Sequence, residues 1–201
     1  DGVLRSLETE RSHFLRTRAP EALFAVFYAH VTRGILSAVD NRQLEQPDFW
    51  LDALVFFHAD YARNRLSSLR EHHWVPYYRK AGQMLQRRLH WWHAASPADL
   101  IGPVSLTALG VEAHIGTDLP RAMAQALQRH PGLRRIGMDS LARDFTTLSS
   151  VFPLAARQGF ADLAPALPGL RFLPARELAA SLIIGRHRKE AWQTFSRAIR
   201  Q

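Results

Sequence analysis

The chain has 201 residues, of which 47% are hydrophobic, a size and composition that suit one domain with one core. It contains no cysteine, which excludes disulfides, thiolate zinc sites and cysteine nucleophiles. Lys and Arg number 26 against 18 Asp and Glu, giving a formal charge of +8 at pH 7. The cations are scattered through every segment, which is typical of solvated helix faces and not of a single binding patch.

Apolar runs are too short to span a bilayer, which takes about 20 consecutive residues. The sequence therefore predicts a protein that is not integral to a membrane. It begins with Asp-Gly-Val and not with Met, which indicates processing or trimming and leaves the compartment undetermined. We expect a single domain over residues 1–201, in which residues 1–19 are a loosely packed N-terminal arm or helix.

The first three predicted helices follow apolar residues at helical spacing. One begins at Ala19-Pro20-Glu21 and continues to about Val39. The second covers Pro47–Leu66 and is apolar around most of its circumference, which predicts a central helix buried on several sides. The third runs from about His73 to His93 and is expected to point four residues inward, Tyr78, Leu85, Leu89 and Trp92.

The remaining pattern is also helical. Helices are predicted over Val104–Arg129, with an interruption at Gly116–Pro120, over Met138–Ala156, near Ala175–Ile184 and through Ala191–Ile199. Sustained period-two alternation between hairpin turns, the mark of a sheet, does not occur. The sequence predicts an all-α, single-domain bundle of about six or seven helices with a broken or kinked helix near Gly116–Pro120.

The interruption lies in the stretch VEAHIGTDLPRAM. In an unbroken helix Pro120 would clash with the carbonyl of Gly116, at a cost of about 3 kcal/mol. Two helices, or one kinked helix with Thr117 or Asp118 as N-cap, would avoid the clash. In this structural interpretation Asp118 holds backbone N–H groups, His114 lies at a helix C-terminus, and neither does chemistry.

The functional interpretation uses the same spacing. His114 and Asp118 at i and i+4 project from one side of a helix, where they can bind one divalent metal ion. Alternatively, the carboxylate orients the imidazole as a general base. His58 and His30 lie inside strongly apolar helices, where a histidine needs a partner, and are the candidates for further metal ligands, although either can be an ordinary core histidine. Additional oxygen ligands are available from Asp52, Asp60 and Glu112.

Four segments are similar to an uncharacterised bacterial family, a domain of unknown function. They are Phe24–Val39, Phe49–Leu66, Ala108–Met123 and Arg188–Trp192. They resemble that family's Tyr-x-x-Val-Thr helix, long aromatic helix, His-Ile-Asn-x-Asp-Leu segment and terminal Arg-x-x-Ala-Trp. Gly116 stands where the family usually has Asn, so no amide side chain is present there. The resemblance, from about residue 20 to 195, implies an α-helical fold and no established activity.

A much weaker likeness is to the helical zinc-dependent nuclease and phospholipase C superfamily. His114 and Asp118 match its His-x-x-x-Asp ligand pair. The histidines that follow the pair in that superfamily are absent from Leu119 to Gln128, so a trinuclear zinc centre is not expected.

Three functions follow as hypotheses. The first is hydrolysis of an ester or phosphoester, in which water is activated either by a divalent metal ion held by His114 and Asp118 or by the His114–Asp118 pair itself. The second is binding of an apolar small molecule or lipid in a pocket formed by Trp50, Phe57, Tyr61 and Trp92. The third, ranked last because no recognition helix or RNA-binding aromatic signature is present, is nucleic-acid or anionic-surface binding. Its candidate residues are Arg87, Arg88, Arg134, Arg135, Arg186, Arg188 and Lys189.

Overall fold

A computed structural model of the chain describes residues 2–17, 19–66, 70–86, 100–133, 138–165, 167 and 176–200. Side chains are described for all of these except 22, 86, 176–183 and 200. This part of the chain is all-α, without strands, and forms seven continuous helical segments in one domain. The predicted fold class is therefore confirmed.

The α-helices are α1 (Gly2–Thr17), α2 (Ala22–Asp40), α3 (Pro47–Leu66), α4 (Val75–Gln86), α5 (Ile101–Val111), α6 (Leu119–Arg129), α7 (Asp139–Thr147), α8 (Val151–Leu163) and α9 (Arg176–Arg200). Short segments of other helix types join some of them. A 3-10 turn at His72–Trp74 precedes α4, a π-helix at Glu112–Asp118 links α5 to α6, and a 3-10 turn at Leu148–Ser150 links α7 to α8.

The central helix is α2 and not α3. Every residue from Leu23 to Thr32 is buried, because α1, α5 and α8 all pack around α2. The helix α3 buries one face and leaves Val55 on the other, 48% exposed. The expectation of a central position for α3 was wrong, because apolar residues such as Val55 also occur on its exposed side.

The inward face of α4 is shifted from the predicted one. Tyr77, Ala81 and Met84 are buried, whereas Leu85 is 55% exposed. The buried residues continue the helical spacing that begins at Trp74, itself fully buried. The predicted inward residues Leu89 and Trp92 lie outside the described residues.

The interruption predicted near Gly116–Pro120 is a π-helix within a continuous helical segment. The Leu119 N–H donates to the carbonyl of His114, five residues earlier, as the wider π turn requires. Asp118 has helical dihedral angles and its side chain makes no capping hydrogen bond. The predicted N-cap was therefore wrong, because the chain stays helical and the carboxylate is used elsewhere.

The two helices predicted at the carboxyl end are one, α9. It packs on the π-helix, on α6 and on α8. The helix α9 contacts the π-helix at Gly116, where a Cβ atom added to the glycine would lie 3.6 Å from Nδ1 of His187. Among the helices described here, none is both long enough and apolar enough to cross a membrane.

Candidate functional site

The π-helix brings His114 and Asp118 together. Nδ1 of His114 lies 3.1 Å from Oδ2 of Asp118. The two residues are 1% and 0% exposed, so water does not compete for this hydrogen bond. The structure thus turns the imidazole and the carboxylate toward each other inside the bundle.

Asp118 also accepts two hydrogen bonds from the 3-10 turn before α4. Nε2 of His73 lies 2.7 Å from its Oδ1, and Nε1 of Trp74 lies 2.9 Å from its Oδ2. Burial alone raises the pKa of Asp118, but hydrogen bonds from His114, Trp74 and His73 outweigh burial and hold the pKa below its ordinary value. Asp118 is therefore an ionised carboxylate that fixes three donors.

The His114 ring lies in a cage of aromatic side chains. It stacks on Phe57 with ring centroids 3.5 Å apart and planes inclined by 7°. Tyr28 approaches edge-on, with its centroid at 4.5 Å. Further rings within 6 Å belong to Phe24, Tyr61 and Trp74. The cage leaves the imidazole in an apolar environment.

The imidazole of His114 is neutral at pH 7. Burial lowers its pKa more than the Asp118 carboxylate raises it. Because an ionised carboxylate only accepts hydrogen bonds, Nδ1 of His114 carries the proton and Nε2 is the acceptor. That Nε2 is buried and has no hydrogen-bond partner among the described residues.

The His114 ring forms part of the wall of a partly open cavity of about 70 Å³. The wall is almost entirely apolar and includes residues of α2, α3, α7, the π-helix and α9. Tyr28 also lines it, and the hydroxyl of Tyr28 is buried without a partner in the described part of the chain. Together with Nε of Arg188, three polar atoms without partners among the described residues therefore belong to residues around one apolar space.

The predicted histidine ligands lie apart from this arrangement. Nε2 of His30 is 2.8 Å from Oδ2 of Asp162, and its Nδ1 is 2.8 Å from a guanidinium nitrogen of Arg33. Both ring nitrogens are thus used between α2 and α8, and the structure does not bring His30 to the pair. His58 stays near the cage, 6.2 Å from the ring of Tyr28. Burial is the main cause that lowers the pKa of His58 to about 4.

The predicted oxygen ligands have other partners. Asp52 lies 3.2 Å from Arg129, and Asp60 lies 2.8 Å from Arg63. Glu112 is exposed. Within the described residues, no group of three or more His, Asp and Glu side chains is placed to hold a metal ion.

The predicted ligand pocket is partly assembled. Trp50 and Phe57 line the cavity. Tyr61 contacts the His114 ring but is not part of the cavity wall. Trp92 lies outside the described residues. Two of the four predicted pocket residues therefore face the space that the structure contains.

Sequence reasoning did not find His73 or Trp74 as site residues, and it named Arg188 only as a candidate for nucleic-acid or anionic-surface binding. His73 and Trp74 lie more than 40 residues from Asp118 along the chain, so no local spacing links them to it. Arg188 lines the cavity and is only 5% exposed. The sequence did indicate that Arg188 is buried, because it follows the buried Ile184 at helical spacing and so lies on the same face of the helix.

The comparisons identify the family and no activity. No curated protein and no solved structure matches the chain. The weak likeness to the zinc-dependent nuclease and phospholipase C superfamily is not supported, whereas the resemblance to an uncharacterised family is confirmed. The family model for DUF5995 matches residues 1–201. The chain therefore belongs to DUF5995, a family of unknown function.

Proposed function

We propose that the protein binds a small, largely apolar molecule in the cavity beside His114, and that His114 accepts a hydrogen bond from it. The observation that carries this proposal is Nε2 of His114, which has no hydrogen-bond partner in the described part of the chain and belongs to a ring that lines an apolar space. A buried acceptor without a donor costs about 1–3 kcal/mol. A ligand hydroxyl or amide would remove that cost, which gives the site a preference for donors.

The surroundings hold the imidazole in one orientation before any ligand arrives. Asp118 fixes the Nδ1 edge, and Phe57 stacks on the face of the ring. Asp118 is in turn held by His73 and Trp74. Preorganisation of this kind favours binding because little conformational entropy is lost when the ligand enters.

The cavity sets the size of the buried part of the ligand. Its 70 Å³ is roughly half of the 150 Å³ of an engineered apolar cavity that holds benzene. A chain of a few carbon atoms fits without repacking. For ligands of four or five non-hydrogen atoms we expect dissociation constants of about 1 mM.

Xenon and two matched probes test the proposal by methyl NMR. Xenon is expected to give saturable shifts of methyl groups that line the cavity, such as those of Val31 and Leu54, while Leu7, buried elsewhere, does not respond. Ala53→Leu fills the cavity from α3 and is expected to abolish the response. An absent response, or an equal one in Ala53→Leu, contradicts the proposal.

The role of His114 is tested with 1-propanol and 1-chloropropane, which have similar size but differ in the hydrogen-bond donor. The wild type is expected to prefer 1-propanol by about 5- to 10-fold, the value of one neutral hydrogen bond. His114→Phe keeps the aromatic stack and removes Nε2, so the preference should disappear. Equal binding of both probes by the wild type would contradict the role of His114.

Hydrolysis of an ester or phosphoester is a second candidate function. It is favoured by the neutral imidazole of His114, which is held at Nδ1 by Asp118 and free at Nε2, as a general base requires. The cavity has room for a water molecule beside this ring. In this candidate function Asp118 orients the base and does not react.

The test uses 4-nitrophenyl acetate and bis(4-nitrophenyl) phosphate, with and without EDTA. His114→Phe is expected to lower kcat/KM by about 10²–10⁴-fold. His13→Phe, at an exposed position on α1, is the control and should be without effect. Metal analysis of the untreated protein shows whether a divalent ion takes part. Absence of turnover, or full turnover in His114→Phe, removes this candidate.

A further inference from the structure

Arg188 on α9 lines the same cavity with an unpaired positive charge. It is 5% exposed, and burial lowers the pKa of its guanidinium to about 10, which leaves it a cation at neutral pH. The ion pairs of the described residues include none with Arg188. By contrast, Arg11, Arg121 and Arg143 each lie within 3 Å of a carboxylate oxygen.

The contacts of Arg188 hold its position without neutralising it. One terminal nitrogen donates to Oγ of Ser149 at 2.6 Å, and the other donates to the carbonyl of Phe145 at 2.5 Å. The guanidinium lies 4.3 Å from the ring centre of Phe145 and 4.4 Å from that of Phe152. Its Nε is buried and unpaired in the described structure. Among the described residues its contacts are all neutral groups, so no carboxylate there compensates the charge.

The position of Arg188 joins two spaces. It belongs to the wall of the 70 Å³ cavity and also to that of a surface cleft of about 360 Å³ between α7, α8 and α9. The cleft is more polar and includes Thr146 and Lys189. A molecule entering through the cleft would meet the guanidinium before its apolar part reached the cavity.

We propose that Arg188 binds the carboxylate of the cavity ligand, which makes that ligand a short, largely apolar monocarboxylic acid that also carries a hydrogen-bond donor for His114. This inference rests on the proposed function and adds the chemical class of the ligand. The carboxylate accepts hydrogen bonds from the planar guanidinium while the hydrocarbon chain occupies the apolar cavity.

A single negative charge fits this environment best. One carboxylate neutralises the one guanidinium already in the site, so the bound pair has no net charge. A dianionic phosphate would leave an extra charge against the rings of Phe145 and Phe152. Lys189 is exposed and solvated, and is therefore expected to attract the anion at long range without holding it.

Butyrate and butyramide form the matched pair of probes, because they have the same shape and differ in charge. Methyl NMR titrations at pH 7 compare the wild type with Arg188→Met and with Lys189→Met as the control. Arg188→Met is expected to weaken butyrate binding by about 10- to 100-fold, the value of charge-assisted hydrogen bonds, and to change butyramide binding little. Lys189→Met should leave the preference for butyrate unchanged.

Arg188→Lys keeps the charge and loses the planar fork, so an intermediate preference is expected even if Arg188→Met does not fold. Equal binding of butyrate and butyramide by the wild type overturns the inference about Arg188 and leaves the proposed function in place. Binding of butyrate without any xenon response in the cavity supports an anion site in the cleft and overturns the proposed function. Binding of neither probe, together with no xenon response, overturns both.

Discussion

Asp118→Asn tests whether the carboxylate at the centre of the buried cluster is ionised. Trp74 only donates, and it shares Oδ2 with His114, so the amide oxygen must stay on that side. The new NH₂ group then faces His73, whose Nε2 must become an acceptor. Three charge-assisted hydrogen bonds become neutral, at about 1 kcal/mol each, and we expect a loss of about 3 kcal/mol in the free energy of unfolding.

Urea unfolding followed by circular dichroism at pH 7.5 measures this loss. The control is Asp52→Asn, which removes a partly exposed carboxylate from Arg129 and His130 at 3.2 and 3.1 Å. Such a pair at the surface contributes about 0–1 kcal/mol. If Asp118→Asn costs no more than Asp52→Asn, Asp118 is not the ionised acceptor described above.

The dependence on pH gives a second check of the same carboxylate. The folded-state pKa of Asp118 is lowered, so its contribution to stability is present above the unfolded-state value of about 3.9 and is lost as pH falls through the folded-state value. The difference in stability between the wild type and Asp118→Asn should persist down to about pH 4 and narrow below it. A difference that widens as pH falls toward about 4 would argue for a protonated carboxyl group in the folded state.

Two further predictions concern packing and acid stability. Gly116→Ala should keep the free energy of unfolding or raise it by up to about 1 kcal/mol, because the added Cβ would meet one atom at 3.6 Å. Gly110→Ala should lower it by about 1–3 kcal/mol, because the added Cβ would lie 2.6 Å from Phe24. Urea unfolding measures both, and a larger loss for Gly116→Ala than for Gly110→Ala would contradict the prediction. The pKa of His58 is lowered to about 4 in the folded protein, so as pH falls the unfolded chain binds a proton at His58 first. The free energy of unfolding of the wild type should therefore fall by about 1–3 kcal/mol between pH 6.5 and 4. This fall should be smaller in His58→Phe and unchanged in the control His72→Phe, at an exposed position.

The spacing of apolar residues along the chain was enough to predict most of the helices. The predicted bounds Pro47–Leu66 agree with α3, because Pro and Asp begin a helix and arginines end it. The i, i+4 relation of His114 and Asp118 was also readable, since either an α-helix or a π-helix keeps such neighbours close. Spacing could not distinguish a broken helix from a π-helix, because both relieve the clash at Pro120.

The surroundings of the pair depended on contacts distant in sequence. His73 and Trp74 reach Asp118 from a 3-10 turn whose position follows from how α4 packs, and no periodic pattern encodes that. Arg188 was named only as a candidate for binding nucleic acid or an anionic surface, and it fell between the two short helices predicted there. Within one helix, α9, the same residue falls on the buried face.

The strongest reason to treat the cavity as a binding site is the coincidence of its polar atoms. His114 Nε2, Tyr28 Oη and Arg188 Nε are each buried without a partner among the described residues, and all three residues line one apolar space. Each such atom costs about 1–3 kcal/mol, against a net stability of about 5–15 kcal/mol for a domain. Apolar side chains would pack this space more favourably if packing were its only role. A ligand with a donor and an anionic group would satisfy the same atoms, and this is the ground on which we propose a binding site here.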